Sequence, residues 1–274
     1  MTRSRGAQLD HGAVATVTVL SVAFALFFVL PFAGLVDRAV ADGDVWRVLR
    51  SSEARAALRL SLLTSTATVA LTLVLGTPVA YLLARARFPG RSIVDALIDL
   101  PIVLPPTVAG VALLTAFGRR GLVGEPIEEW TGLTFAFRTT AVVMAQLLVA
   151  APFYVRAAKA GFEAIDPEVE RIAYTLGASR TRTFFQITVP QAWPALGAGI
   201  VLCWARAMGE LGATLIFAGN LEGQTRTMPL AIISAFEGSA LGVAGAIALS
   251  LVLLAVALAV LVAFRLVTHR AGRR

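Results

Sequence analysis

The sequence predicts an all-α integral membrane fold of six transmembrane helices, and three observations carry that expectation. Apolar residues make up 57% of the 274 and charged residues only 15%, against about 45–50% and about 25% in ordinary soluble domains. The apolar residues gather into six long runs, and about 20 residues of helix are enough to cross the hydrocarbon core of a bilayer. Lys and Arg exceed Asp and Glu to give a formal net charge of +7, an excess that membrane chains carry in their cytoplasmic loops and tails. Nucleic acid is the other partner that such a charge suggests, and the apolar composition argues against it. One cysteine, Cys203, excludes an intrachain disulfide, and two histidines, His11 and His269, lie near the termini and leave no His/Cys metal cluster.

The six expected spans are 13–35, 58–83, 93–117, 135–155, 195–217 and 241–264. The first is longer than the 7–15 apolar residues of a signal peptide, and Pro31-Phe32-Ala33-Gly34 leads on without a small-residue cleavage site, so it is expected to be retained. An even number of spans puts both termini on one side. Placing that side in the cytoplasm gathers Arg3, Arg5, Arg85, Arg87, Arg91, the basic residues from Arg156 to Arg182, and Arg265, Arg270, Arg273 and Arg274. These outnumber the basic residues of the opposite loops, so both ends are expected inside. No repeat or polar linker divides the chain, which is expected to form one transmembrane domain over 1–274.

The longest inner stretch, 156–193, carries the clearest local signals. Asp166 can accept the first free amides of a helix, Pro167 fits its first turn, and Glu168 and Glu170 complement its dipole. Val169, Ile172, Ala173 and Leu176 then fall at i, i+3, i+4 and i+7, one apolar stripe. Gly177 stands where a helix commonly ends in the left-handed conformation. Ser179 can cap a second short helix carrying Phe184, Phe185 and Ile187, expected to stop before Pro190. A helix of about ten residues is marginal alone. Its stripe therefore packs under the protein's own bundle, lies in the lipid interface, or enters a groove on a partner, and periodicity alone does not choose.

Within this stretch, Tyr174-Thr-Leu-Gly177-Ala178-Ser179 and Phe185-Gln-Ile187-Thr-Val-Pro190 resemble the EAA loop of permease subunits of bacterial ATP-binding-cassette importers. The chain departs from that pattern where the family has Glu-Ala-Ala: it reads Arg171-Ile172-Ala173, with Glu170 one position early. Two further segments resemble the molybdate/tungstate branch. They are Asp99-Leu-Pro101-Ile-Val-Leu-Pro105-Pro106-Thr107-Val-Ala-Gly110, and Ala207-Met-Gly209-Glu210-Leu-Gly212-Ala213-Thr214 with the following Gly219-Asn220…Gly223-Gln-Thr225-Arg226-Thr227-Met-Pro229. Sulfate and thiosulfate permeases share the Gly-Glu-x-Gly-Ala core and remain the alternative.

The resemblance implies a second permease copy, two ATPase subunits that bind ATP and Mg, an extracytoplasmic substrate-binding protein and an oxyanion substrate. It assigns ATPase coupling to Asp166, Glu170, Ile172, Ala173, Leu176, Gly177, Ala178, Ser179 and Pro190. It assigns the pathway or gate to Pro105, Pro106, Thr107, Arg206, Glu210, Gly212 and Thr214. The residues themselves add that Arg206 and Glu210, four apart in the fifth expected span, can pair on one helix face, and that charges at bilayer depth should face protein or a watery cavity. Gly209, Gly212 and Gly219 with Thr214 make a small-residue face suited to close helix packing. Pro101, Pro105 and Pro106 interrupt backbone hydrogen bonding in the third span, as a fixed kink or as a bend that moves with a gate. Asp95 and Asp99, near the membrane interface, are expected to be structural. No Gly-x-x-x-x-Gly-Lys-Ser/Thr loop is present, so this chain is expected to bind no ATP itself. An intramembrane enzyme is the rival class, and the lack of a mid-span histidine argues against it.

Overall fold

The structure is a computed structural model that describes residues 11–43 and 45–271. Arg3, Arg5, Arg273 and Arg274, used above for orientation, lie outside the described residues. Every regular element among the described residues is helical. In chain order they are α1 (His11–Asp42), α2 (Val45–Arg50), α3 (Ser52–Arg85), α4 (Arg91–Val103), α5 (Pro106–Phe117), α6 (Gly124–Thr131), α7 (Thr139–Glu163), α8 (Pro167–Thr175), α9 (Arg180–Thr183), α10 (Val189–Met208), α11 (Gly212–Ala218), α12 (Met228–Phe236) and α13 (Gly242–Ala271). A π turn, Phe184–Thr188, joins α9 to α10. Five helical stretches are long and apolar enough to cross a membrane, and α4 with α5 makes a sixth if that bent pair is counted as one span.

The α3 helix buries mainly small and polar residues and shows large apolar ones to the outside. On α3 the buried face runs Ser61, Thr64 and Ser65, Thr68, Thr72, Gly76, Ala80, a stripe that keeps to one side of a helix. Leu63, Leu71, Val74, Leu75 and Leu82 are exposed. In a bilayer the lipid is as apolar as leucine, so helices associate through close contact and hydrogen bonding rather than by hiding large side chains. Thr68 Oγ1 accordingly donates to Gln146 Oε1 of α7 at 3.1 Å, and Thr72 Oγ1 donates to its own helix at Thr68 O, 2.8 Å. Close contact recurs where α7 meets α10: a Cβ on Gly161 would sit 2.5 Å from the Ala195 Cβ. The packed centre is α3, α7 and α10, with Tyr154, Phe162, Leu196 and Cys203 in one cluster.

Two expected spans are not continuous. The third, 93–117, divides at Leu104-Pro105 into α4 and α5, which lie 118° apart. Pro105 and Pro106 have no N–H for a helical ladder, and α4 accordingly stops at Val103 while Pro106 starts α5. Pro101, by contrast, sits inside α4 without ending it. The fifth, 195–217, begins earlier, in α10, and breaks after Met208, with Gly209 to Leu211 leading into the short α11. The inner stretch 156–193 is shorter as a loop than expected, because α7 continues to Glu163 and α10 starts at Val189.

Candidate functional site

The connection between α7 and α10 is built from local signals. Asp166 accepts a hydrogen bond from Glu168 N at 2.9 Å, with Pro167 in the first turn of α8. At the other end Ala178 N donates to Ala173 O and Gly177 N to Tyr174 O, both 3.0 Å, the paired bonds of a left-handed helix stop. Gly177 has φ +84°, and nothing lies within 4 Å of where its Cβ would be. Its glycine is therefore required by backbone conformation and not by crowding inside this chain. Ser179 then accepts from Arg182 N at 3.2 Å and starts α9. The helix does not stop before Pro190. It widens through the π turn and runs into α10 with Pro190 in the first turn. A proline ring collides with the carbonyl one helical turn before it, and a wider turn is one way a helix makes that room.

The stripe on α8 is divided between two directions. Ala173 is 6% exposed and faces the chain's own α9 and π turn, whereas Ile172 is 52% and Leu176 82% exposed. Ala173, Leu176, Thr183 and Ile187 border a groove of about 300 Å³ between the two short helices. The side of α8 that anchors it carries a charge: Glu170 is buried, pairs with Arg85 Nη2 at 3.2 Å and accepts from Thr188 Oγ1 at 2.9 Å. Arg85 also donates to Ile165 O at 3.1 Å. Arg85 is the last residue of α3, so this cluster ties the loop directly to a membrane helix.

Three ion pairs on the same end join α4 to α7. Arg91 meets Glu163 at 3.2 Å, Asp95 meets Lys159 at 2.6 Å, and Asp99 pairs with Arg156. Arg91, Asp95 and Asp99 are spaced by four and share one face of α4. No residue of α4 is fully buried. Asp95 and Asp99 are thus taken up by structural pairs.

At the broken helices, α11 packs its first residue against the start of α5. A Cβ on Gly212 would sit 2.9 Å from the Pro106 Cβ, and one on Gly110 would sit 2.9 Å from the Ala213 Cα. Glu210 lies in the break and not on a helix, yet its Oε2 reaches Arg206 Nη1 at 2.7 Å, off the ideal hydrogen-bond direction. Its Oε1 accepts from Ala213 N at 2.8 Å, which satisfies a free amide at the start of α11. Thr214 is buried beside this break with its hydroxyl unpartnered. Pro105, Pro106 and Thr107 are exposed. The expected small-residue face is split: Gly212 meets α5, Gly219 lies under the Phe137 ring, and Gly209 meets only its own helix.

Residues 75–273 match the family model described as binding-protein-dependent transport system inner membrane component. The chain belongs to this family. It is 41% identical over 221 residues to a molybdenum transport system permease protein of Escherichia coli (strain K12), covering 79% of this chain and 96% of that protein. It is 44% identical over 162 residues to a molybdate/tungstate transport system permease protein of Thermococcus kodakarensis, covering 59% of this chain and 60% of that one. Among solved structures, a bacterial alginate ABC transporter in complex with alginate pentasaccharide-bound periplasmic protein has a chain that matches with TM-score 0.73 at 17% identity, over 94% of this chain and 93% of that one. The inward-facing MetNI methionine ABC transporter matches with TM-score 0.60 at 15% identity, over 78% and 94%. At such identities the structural likeness shows the fold.

The permease is a multi-pass inner membrane transport subunit and not an enzyme. Of the residues that the sequence resemblance assigns to coupling, Glu170 and Ala173 are turned into the chain, while Ile172, Leu176, Gly177 and Ser179 face outward. Sequence reasoning passed over Arg85 and Thr188. Arg85 was legible only as a loop charge, and Thr188 carried no periodic signal at all. The pairing of Glu53 with Arg226 at 2.7 Å was equally invisible, and it ties the loop before α12 to the opposite end of α3 from Arg85.

Proposed function

We propose that the permease forms, with a second copy of itself, the translocation pathway of an ATP-driven importer for molybdate or tungstate. The observation that carries this reading is its 41% identity to a molybdenum permease over 96% of that protein. A substrate-binding protein delivers the oxyanion from outside. Two ATPase subunits bind ATP and Mg and dock on the loop around α8 and α9. Ile172 and Leu176 are the side chains that reach the ATPase. Asp166, Gly177, Ala178, Ser179 and Pro190 set the loop's shape, and Glu170 with Ala173 holds it to the bundle. Both termini lie in the cytoplasm. In support, Arg85, Arg91 and the α8–α9 loop gather at one end of the bundle, and these are the arginine-rich connections that favour the inner face.

In the same proposal the break at Gly209–Leu211 and the turn at Leu104-Pro105 lie along the pathway, with Pro105, Pro106, Thr107, Gly212 and Thr214 around them. A bare carboxylate would repel an oxyanion, and the Arg206 partner neutralises Glu210 there. ATPase closure draws the paired loops together and shifts the pathway between inward- and outward-open states. Proteoliposomes holding the whole complex, with ATP enclosed and binding protein outside, should take up labelled molybdate, and tungstate should compete better than sulfate. Stronger competition by sulfate would transfer the chain to the sulfate branch, and uptake only with ATP outside would reverse the orientation.

Gly177 gives a test of the loop itself. A side chain with a Cβ costs about 1–2 kcal/mol in the left-handed conformation, and a β-branched one costs more. Gly177→Val should leave membrane insertion intact while ATP hydrolysis no longer drives uptake; Gly177→Asn, which tolerates that conformation, should be milder. Equal damage from both would mean that the position needs room for the ATPase instead.

A further inference from the structure

A cavity of about 560 Å³ lies where α3 ends beneath the loop, lined by Pro78, Tyr81, Leu82, Arg85, Tyr174, Arg180 and Phe184 among others. We propose that it is a binding site for the headgroup of an anionic phospholipid. Its two halves differ in chemistry. Pro78 and Leu82 are exposed and continue the outward stripe of Leu71, Val74 and Leu75, steps of three, four and seven along one face of a span. That stripe offers a path for an acyl chain. The lining also carries an aromatic pair, with the Tyr81 and Phe184 rings 5.0 Å apart.

The loop half is basic. Arg85 is shared with Glu170, so its charge is compensated. The Arg180 side chain makes no hydrogen bond or ion pair with any described residue, and it borders the same cavity. The site therefore holds one uncompensated positive charge, on Arg180, beside the end of a membrane-spanning helix. Basic pockets between helices at the membrane surface are suited to phosphate headgroups, and a guanidinium binds phosphate through paired donors. An apolar edge leading straight into the exposed face of α3 favours a lipid over a soluble phosphate. This inference does not depend on which oxyanion is carried.

The test uses the whole complex in nanodiscs of phosphatidylcholine with a minority of phosphatidylglycerol, read by native mass spectrometry of retained lipid. Wild type should retain phosphatidylglycerol, and Arg180→Gln should retain about fivefold less, the effect of one surface arginine. Arg180→Lys should restore most of it. Thermal unfolding of Arg180→Gln should match wild type in pure phosphatidylcholine as long as the ATPase subunits stay bound, because the side chain has no partner among the described residues. Retention unchanged by Arg180→Gln would overturn the proposal, as would loss of the ATPase subunits with lipid retention unchanged. So would no retained lipid in wild type, the result expected if a second copy covers the cavity. Inorganic phosphate raising the melting temperature in pure phosphatidylcholine would reassign the site to a soluble anion.

Discussion

Arg85→Ala should be among the most damaging single substitutions in the loop region, costing about 3–5 kcal/mol, because it leaves the buried Glu170 carboxylate with only the Thr188 hydroxyl. It also removes the donor to Ile165 O, so the turn after α7 loses its hydrogen bond to the end of α3. Glu170→Gln should cost less. The charge left behind is then the arginine, which keeps its bond to Ile165 and the open cavity beside it. Replacing both with glutamine should recover stability beyond the sum of the two single effects, as coupled neighbours do. Thermal unfolding of the purified complex gives the order, and the ratio of uptake to ATP hydrolysis gives the functional consequence. Arg85→Ala is expected to hydrolyse ATP while moving little substrate. A melting temperature equal to wild type would mean that the cluster does not hold the loop.

The second large effect is expected at the broken helix, with a direction that burial decides. Glu210 is 1% exposed and Arg206 27% in their side chains. Removing the arginine strands a charge that water cannot reach, whereas removing the glutamate leaves one that water partly reaches. Arg206→Gln should therefore be worse than Glu210→Gln, its own cost approaching the roughly 3–5 kcal/mol of a broken buried pair. A glutamine at 210 keeps a carbonyl that can still accept from Ala213 N, so Glu210→Ala should be worse than Glu210→Gln. The double change Arg206→Gln/Glu210→Gln should fold and assemble. If it also transports normally, the pair only holds α10 to α11; if it assembles and carries nothing, the charges act on the pathway. Equal melting temperatures for the two single variants would refute the burial argument.

Much of the candidate site was legible because its signals are local. Asp166, Gly177 and Ser179 each act on backbone groups within five residues, so their roles follow from spacing and chirality before any packing is considered. Pro105 and Pro106 likewise announce that α4 cannot continue. The Val169, Ile172, Ala173, Leu176 stripe left its partner open for a reason proper to membrane chains. An apolar face shows that a helix has somewhere to be buried, and lipid, the chain itself and a partner all satisfy that requirement. The anchor of α8 is instead a charge, Glu170, on the face next to the stripe.

The sequence by itself determined the helical class, the approximate spans, the family resemblance, the ends of α8 and the start of α9. Each of these rests on composition or on interactions reaching no further than a helical turn or two. Only the tertiary structure decided that Glu170 belongs to Arg85, 85 positions away, that Asp95 and Asp99 are held by Lys159 and Arg156, and that the third span turns through 118°. Two prolines can open a helix but cannot aim its halves; the contact of Gly110 and Gly212 between α5 and α11 fixes where the second half lies. Pairings of this kind depend on which helices become neighbours, and in a bilayer that choice is made by small residues and hydrogen bonds scattered across distant segments.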